Sequence, residues 1–371
     1  MSTHTTLFYL SMIQKTVALT VIVGTIVLNL IQPASAQQMT DADQHSPYIL
    51  AVDEYVPAPG QFTNKMPEWT EGDDAAAMAQ KCTERLAANE QSLVSLGAFG
   101  GFITFHFDHS IANISGQRDL YIMGNAFRQA GSSRNRGSSE PGIVMVMKDV
   151  NHNHLPDDTW YELRGSCDED SVGKVIYAYE VTYTYAPMQN IPWTDNQGGS
   201  GTIDRNPYNT QEYFPQWLPS PLTLGGTLLP RNGYKTSASN ASWVQDFMAW
   251  GYVDNYPNID QQECSFDLDW AVDPLTRQPV HLDCIDFVRV YSAEQQKCGN
   301  LGETSTEIMG AEDLHLDASI AYILSGIRAQ TKQQKEPKCC YDLSGRALPR
   351  EMLFRNRSSV TIIDGYKYRN R

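Results

Sequence analysis

Between residues 96 and 291, apolar side chains return at every second position in several stretches. Ile103, Phe105 and Phe107 alternate with Thr104 and His106. Ile143, Met145 and Met147 form a second such row, and Tyr177, Tyr179, Val181, Tyr183 and Tyr185 an aromatic ladder. Residues 287–291 (FVRVY) make a fourth. A period of two puts alternate side chains on opposite faces, which is the signature of a strand. Turn chemistry separates the rows: Asp108-His109, the glycines of residues 131–137, Gly198-Gly199, Gly225-Gly226 and Asp273-Pro274. Many short, aromatic-rich strands predict an all-β sandwich or barrel. No strand–helix–strand rhythm and no glycine-rich phosphate loop appears.

The period differs before residue 96. Residues 71–89 (EGDDAAAMAQKCTERLAAN) start acidic, are dense in Ala, and place Met78, Cys82 and Leu86 at i, i+4 and i+8, so a helix is expected there. Residues 37–72 read as a lead-in loop with one short strand. Residues 189–240, rich in Pro, Gly, Asn and aromatics, read as long loops. A short helix is expected within residues 311–331, a polar linker at 332–337, and a small β unit from Cys340 onward.

The first 36 residues alter where this fold is expected to reside. Lys15 is their only charge, and residues 17–31 (VALTVIVGTIVLNLI) are apolar. That run is about 15 residues, short of the roughly 20 that span a bilayer. Pro33 and Ala34-Ser35-Ala36 follow. A positive start, an apolar core and a small-x-small end describe a cleaved export signal over residues 1–36. The body is then 37–331 and the tail 332–371, with no transmembrane segment in the mature chain. No Cys follows the cleavage point, so a lipoprotein anchor is not indicated.

Charge narrows the partners. With 28 basic against 43 acidic residues, the net charge is −15. Such a surface repels nucleic acid and anionic membranes, and it suits divalent cations. The seven cysteines are Cys82, Cys167, Cys264, Cys284, Cys298, Cys339 and Cys340. They contain no CxxC and no zinc spacing. Export permits disulfides, the odd count leaves one thiol over, and the pairing stays open.

Residues 149–158 (DVNHNHLPDD) carry the clearest chemistry. Asp149, Asn151, Asn153 and Asp157 fall at positions 1, 3, 5 and 9 of a calcium loop, with Leu155 placed to offer its carbonyl. Calcium wants six to eight hard oxygens, and alternate residues of a tight loop supply them. Two features depart from that pattern: His154 stands where glycine is usual, and Trp160 where a bidentate carboxylate belongs. Asp158 or Glu162 are the candidate replacements. A polar turn without metal is the competing interpretation, since Asn and Asp dominate turns. A calcium ion here is expected to pin the loop.

Three aromatics are candidate ligand contacts: Trp193, Tyr213 and Trp217, in Pro- and Gly-rich sequence. Phe214, Trp250 and Tyr252 share that setting, and most of the six are expected to cap the core. Asp267 and Asp269, on one face of an expected strand (FDLDW), and the acids Glu303, Glu307, Glu312 and Asp313 are the only support for catalysis. No GxSxG and no HExxH occurs, and no reaction is assigned.

Several segments together resemble the large Bacteroidota cell-surface proteins of poorly defined function, often found near PKD-like and propeller proteins. They are residues 54–62 (EYVPAPGQF), 96–108 (LGAFGGFITFHFD), 121–127 (YIMGNAF), 139–146 (SEPGIVMV), 149–163, 191–201 (IPWTDNQGGSG), 266–273 (FDLDWAVD) and 285–315. The resemblance implies a jelly-roll-like sandwich with glycan- or ligand-binding relatives, and it implies no activity. Some surface proteins of these bacteria capture corrinoids or glycans. Residues 341–346 (YDLSGR) and 360–367 (VTIIDGYK) resemble the end of a type 9 sorting domain, in much shortened form. The leading expectation is an exported surface or periplasmic binding or adhesion protein, calcium-stabilised. Its partner is an extracellular glycan or small molecule, with other outer-membrane proteins as further candidates. A jelly-roll glycosidase or polysaccharide lyase is the alternative.

Overall fold

The computed structural model describes residues 45–169, 175–237, 240–322, 340–341, 360–363 and 366–369. The residues expected as an export signal, 1–36, and as a linker, 332–337, lie outside them. The described residues are mostly strands. They carry one 12-residue helix, Ala75–Leu86, and residues 316–322 are also helical. None of these helices is long and apolar enough to cross a membrane.

The largest sheet has six antiparallel strands in the order Ala51–Val56, Phe102–Ala112, Cys284–Ser292, Gly142–Met147, Trp160–Leu163, Ala271–Val272. Its middle strands differ: Phe102–Ala112 alternates, with Asp108 exposed and His106 half-buried, whereas in Gly142–Met147 only Met145 is not buried, so that strand is covered on both faces. The helix covers part of it. Asp74 caps the helix by accepting the Ala77 N–H at 2.9 Å. Met78, Cys82 and Leu86 then form the buried stripe. Each fully buried Leu or Met contributes about 1.5–3 kcal/mol. Thr83 Oγ1 accepts the Val52 N–H at 2.9 Å, which ties the helix to the edge strand where the ladder slips between Val52 and Glu54.

A second sheet runs Ser200–Ile203, Ile191–Asp195, Ile176–Tyr183, Leu222–Leu228. The tyrosine ladder follows its period in part: Tyr179, Val181 and Tyr183 are buried while Glu180 is exposed, but Tyr177 at its start is exposed. Smaller sheets are built from Gly233–Ser237, Asn240–Asp246, Arg136–Ser138 and Phe127–Arg128, and from Ser265–Phe266, Leu120–Met123 and Gly310–Asp313. Glu307–Ile308 pairs with Val94–Ser95. In the tail, Cys340–Tyr341, Val360–Ile363 and Tyr366–Arg369 pair antiparallel.

Two expected turns are strand instead. Phe102–Ala112 runs straight through Asp108-His109, because His109 is buried against partners that a turn would expose. Leu222–Leu228 runs through Gly225-Gly226, where a Cβ on Gly226 would lie 2.6 Å from the Tyr291 ring. Here the glycine makes room for an aromatic rather than for a bend. The short helix expected within residues 311–331 is present at 316–322, directly after the strand Gly310–Asp313. The expected strand at FDLDW is a short 3-10 turn, Leu268–Trp270, after Ser265–Phe266. Cys82, Cys167, Cys264, Cys284 and Cys298 are free, buried thiols.

Candidate functional site

The loop at 149–158 lies between the paired strands Gly142–Met147 and Trp160–Leu163. Its backbone coils around its own side chains. Asp149 is buried and accepts the N–H groups of Asn153 at 3.2 Å and His154 at 2.9 Å. Asn151 Oδ1 accepts the Asn153 N–H at 2.9 Å, and Asn153 Oδ1 the Leu155 N–H at 2.8 Å. Asn153 Nδ2 reaches Asp157 at 3.0 Å. The loop is anchored from outside by Asp286 Oδ2, which accepts the Asp149 N–H at 2.7 Å. His154 has φ +59°, so it adopts the left-handed conformation for which glycine is usual. Asp158 turns back into the loop, accepting the Val150 N–H at 2.9 Å. Glu162 does not: it is buried away from the loop, against Arg277, with the Tyr291 hydroxyl at 2.7 Å and Thr227 Oγ1 at 3.1 Å. Of the two replacement carboxylates only Asp158 is placed for the role. The loop's oxygens are hard donors engaged within the loop: Asp158 Oδ2 accepts the N–H groups of both Val150 and Asn151, and Asp157 accepts the amide groups of Asn151 and Asn153.

The three candidate aromatics separate. Tyr213 is wholly buried, its hydroxyl accepting the Asn206 N–H at 3.2 Å. The expectation of a ligand-facing ring is corrected there, because burial of so large an apolar surface outweighs exposure. Trp217 packs on the main core, stacked on Tyr55 with centroids 5.6 Å apart and planes at 25°. Trp193 differs. It is half-buried on the hairpin Ile191–Asp195/Ser200–Ile203, opposite Gly201. A Cβ on Gly201 would stand 2.7 Å from the indole, so the glycine lets the ring lie on the neighbouring strand. The turn is fixed by Asp195, which accepts from Gly199 N–H at 2.6 Å and Tyr179 Oη at 2.7 Å.

Trp193 forms one wall of a cleft of about 110 Å³ that is also lined by Asp204, Arg231, Gln295, Lys297 and Glu303. Lys297 Nζ lies 2.5 Å from Asp204 Oδ2, and this contact holds the Asp204 carboxyl below its usual range. Glu303 is buried. Its Oε1 accepts the Gln61 N–H at 2.5 Å, its Oε2 meets no partner, and burial pushes its pKa up to about 8. Gln295 Nε2 also lacks a partner. Arg231 is exposed and forms no ion pair among the described residues. Buried polar groups are normally satisfied, so unpaired ones on a single concavity mark a place where something else can bind.

The Asp267/Asp269 pair has structural work. Asp267 accepts the Asp269 N–H at 2.9 Å and so caps the turn Leu268–Trp270. Asp269 accepts from Asn113 Nδ2 at 2.9 Å, which holds its carboxyl low. The cleft residues Arg231 and Gln295 were missed in the sequence because nothing local distinguishes them; Glu303 was visible only as part of an acidic run. Compared with known proteins, the chain matches no family model and has no significant match among curated proteins.

Proposed function

We propose that this chain is an exported, surface or periplasmic binding protein that takes a polar, ring-shaped group into the Trp193 cleft. A glycan unit is the chemistry that suits it best. An indole face stacks on a sugar ring, and Arg231, Gln295 and Glu303 offer donors and acceptors around it. The observation that carries this reading is the convergence of a half-buried indole, a free guanidinium and two unsatisfied polar side chains on one cleft. The size, about 110 Å³, favours one sugar-sized group over a corrinoid, which is several-fold larger. Calcium in the 149–158 loop, ligated by Asp149, Asn151, Asn153, Asp157, Asp158 and the Leu155 carbonyl, would stiffen the protein. On this reading the six-stranded and Trp193-bearing sheets act as two layers of a jelly-roll-like sandwich, since Val56 and Phe102 of the first pack on the core of the second. The export-signal-like first 36 residues and the sorting-like tail support a cell-surface location, within reach of other outer-membrane proteins. Calorimetric titration with a panel of mono- and oligosaccharides tests it. Saturable binding lost in Trp193→Ala supports the reading, and a panel with no ligand sinks it.

One observation favours a second reading, a glycosidase. Glu303, near pKa 8, and Asp204, held low by Lys297, line the same cleft. Two carboxyls with pKa values driven apart are the pattern of an acid and its ionised partner. Sugar release abolished by Glu303→Gln, with binding retained, would select it.

A further inference from the structure

In the Trp193 cleft the side-chain acceptors are engaged and several donors are not. Asp204 accepts from Lys297 Nζ at 2.5 Å, Thr202 Oγ1 at 2.5 Å and Asn190 Nδ2 at 3.0 Å. Gln296 Oε1 accepts the Gly233 N–H at 3.2 Å, and its Nε2 donates to Asn232 Oδ1 and Glu294 Oε2, each at 2.6 Å. Gln295 Oε1 accepts the Tyr183 hydroxyl at 3.4 Å, but its Nε2 meets no partner. The exposed Arg231 forms no ion pair among the described residues. Glu303 is 5% exposed, and its Oε2 is unpartnered. With a pKa of about 8, Glu303 keeps its proton at neutral pH. Oε1 already accepts the Gln61 N–H, so that proton belongs on Oε2 and makes it a third unmet donor.

The charges agree with this count. Lys297 cancels Asp204, and Glu303 is neutral, so Arg231 leaves the cleft one positive charge on a chain whose net charge is −15. Glu294 does not cancel it. That carboxyl is buried, makes no ion pair with Arg231, and is pushed well above its usual pKa by burial. Unmet donors call for an occupant rich in acceptors. A carboxylate is acceptor-only, with about four lone-pair sites, and a guanidinium grips it through two parallel bonds. A sugar hydroxyl brings a donor of its own and no charge.

We infer that the Trp193 cleft takes a sugar acid, a monosaccharide unit whose ring carries a carboxylate. This rests on the reading of the cleft as a saccharide site. The ring lies on the indole, Arg231 holds the carboxylate, and Gln295 Nε2 and Glu303 Oε2 donate to its oxygens or to the neighbouring hydroxyls. A sulfate ester is bulkier and sits one atom further from the ring, which a cleft of about 110 Å³ admits less readily.

The test is calorimetric titration of the full chain near neutral pH with matched pairs, glucuronate against glucose and galacturonate against galactose. In the pair that binds, the uronate is expected to bind roughly tenfold tighter than its neutral counterpart. Arg231→Gln, at an exposed position, should bring that ratio close to one. Arg231→Lys keeps the charge but not the fork, and should retain part of it. Added salt should shrink the ratio in wild type. A neutral sugar bound as tightly as its uronate, in a manner that depends on Trp193, overturns the inference and leaves the saccharide reading standing. A uronate preference that survives Arg231→Gln overturns it too, as does tighter binding of the sulfate ester of the same sugar. Binding of neither member of either pair removes the inference together with the saccharide reading.

Discussion

His109 Nε2 lies 2.9 Å from Asp313 Oδ2, and both side chains are sealed from solvent. Its Nδ1 meets Asp108 at 2.6 Å, so one imidazole is held between two carboxylates, with the His45 ring edge-on at 5.9 Å. The contact pins the strand Phe102–Ala112 to Gly310–Asp313, segments about two hundred residues apart in the chain. Burial pulls the His109 pKa down, but the hydrogen bonds to Asp313 and Asp108 outweigh it and the net shift is upward. A raised folded-state pKa contributes stability that is complete below about 6.5, the unfolded value, and is lost as pH rises through the folded value. His109→Gln is therefore expected to cost more at pH 5.5 than at pH 9, in the range of about 3 kcal/mol at the acid end. Melting curves across that window check it. Equal losses at both ends would remove the charged imidazole from the account.

Calcium should matter to the 149–158 loop in a way that melting can read. An ion that binds only the folded chain stabilises it by mass action, about 2.7 kcal/mol at a hundredfold excess over Kd. Chelator is expected to lower the melting temperature, and millimolar calcium to restore it. In Asp149→Ala the loop's share of that response should vanish, since Asp149 is the buried carboxylate on which Asn153 and His154 close. A response to calcium identical in wild type and Asp149→Ala would remove the loop site.

Trp193 and Trp217 should respond oppositely. Trp217 stacks on Tyr55 within the main core, so Trp217→Ala is expected to lower stability by about 2–4 kcal/mol and to leave ligand affinity unchanged. Trp193 faces the cleft. Trp193→Ala should weaken saccharide binding at least tenfold, about 1.4 kcal/mol, with a small stability change. Paired denaturation and titration experiments separate the two, and the reverse assignment would place the site elsewhere.

The strands and the helix were legible because they depend on local periodicity. Tyr179, Val181 and Tyr183 bury every second side chain, and Met78, Cys82 and Leu86 bury one helical stripe. The 149–158 loop was legible because its oxygens lie close together in the chain. What the sequence hid was set by distant partners. Gly225-Gly226 read as a turn because nothing nearby announces that Tyr291 needs the space. Asp267 read as a strand-face acid because a cap and a strand side chain share the same residue type. The Trp193 cleft draws on residues 193, 204, 231, 295 and 303, and no window of sequence contains that set.

Glu303 gives the sharpest pH dependence. Its carboxyl, buried beside Gln61, has a pKa near 8, against about 4.3 in an unfolded chain. The folded state then holds a proton that the unfolded state releases, so stability falls as pH rises. The loss begins above about pH 4.3 and is complete once pH passes about 8, amounting to a few kcal/mol for a group this buried. His109 acts in the same direction, so the wild-type curve alone does not separate them. Glu303→Gln does: it keeps the oxygen that accepts the Gln61 N–H and cannot ionise. That variant should match wild type near pH 5 and exceed its stability near pH 8.5, while His109→Gln retains the Glu303 slope. If Glu303→Gln instead parallels wild type throughout, the carboxyl ionises freely in the folded chain, and neither a neutral donor for a ligand nor an acid for glycoside cleavage resides there.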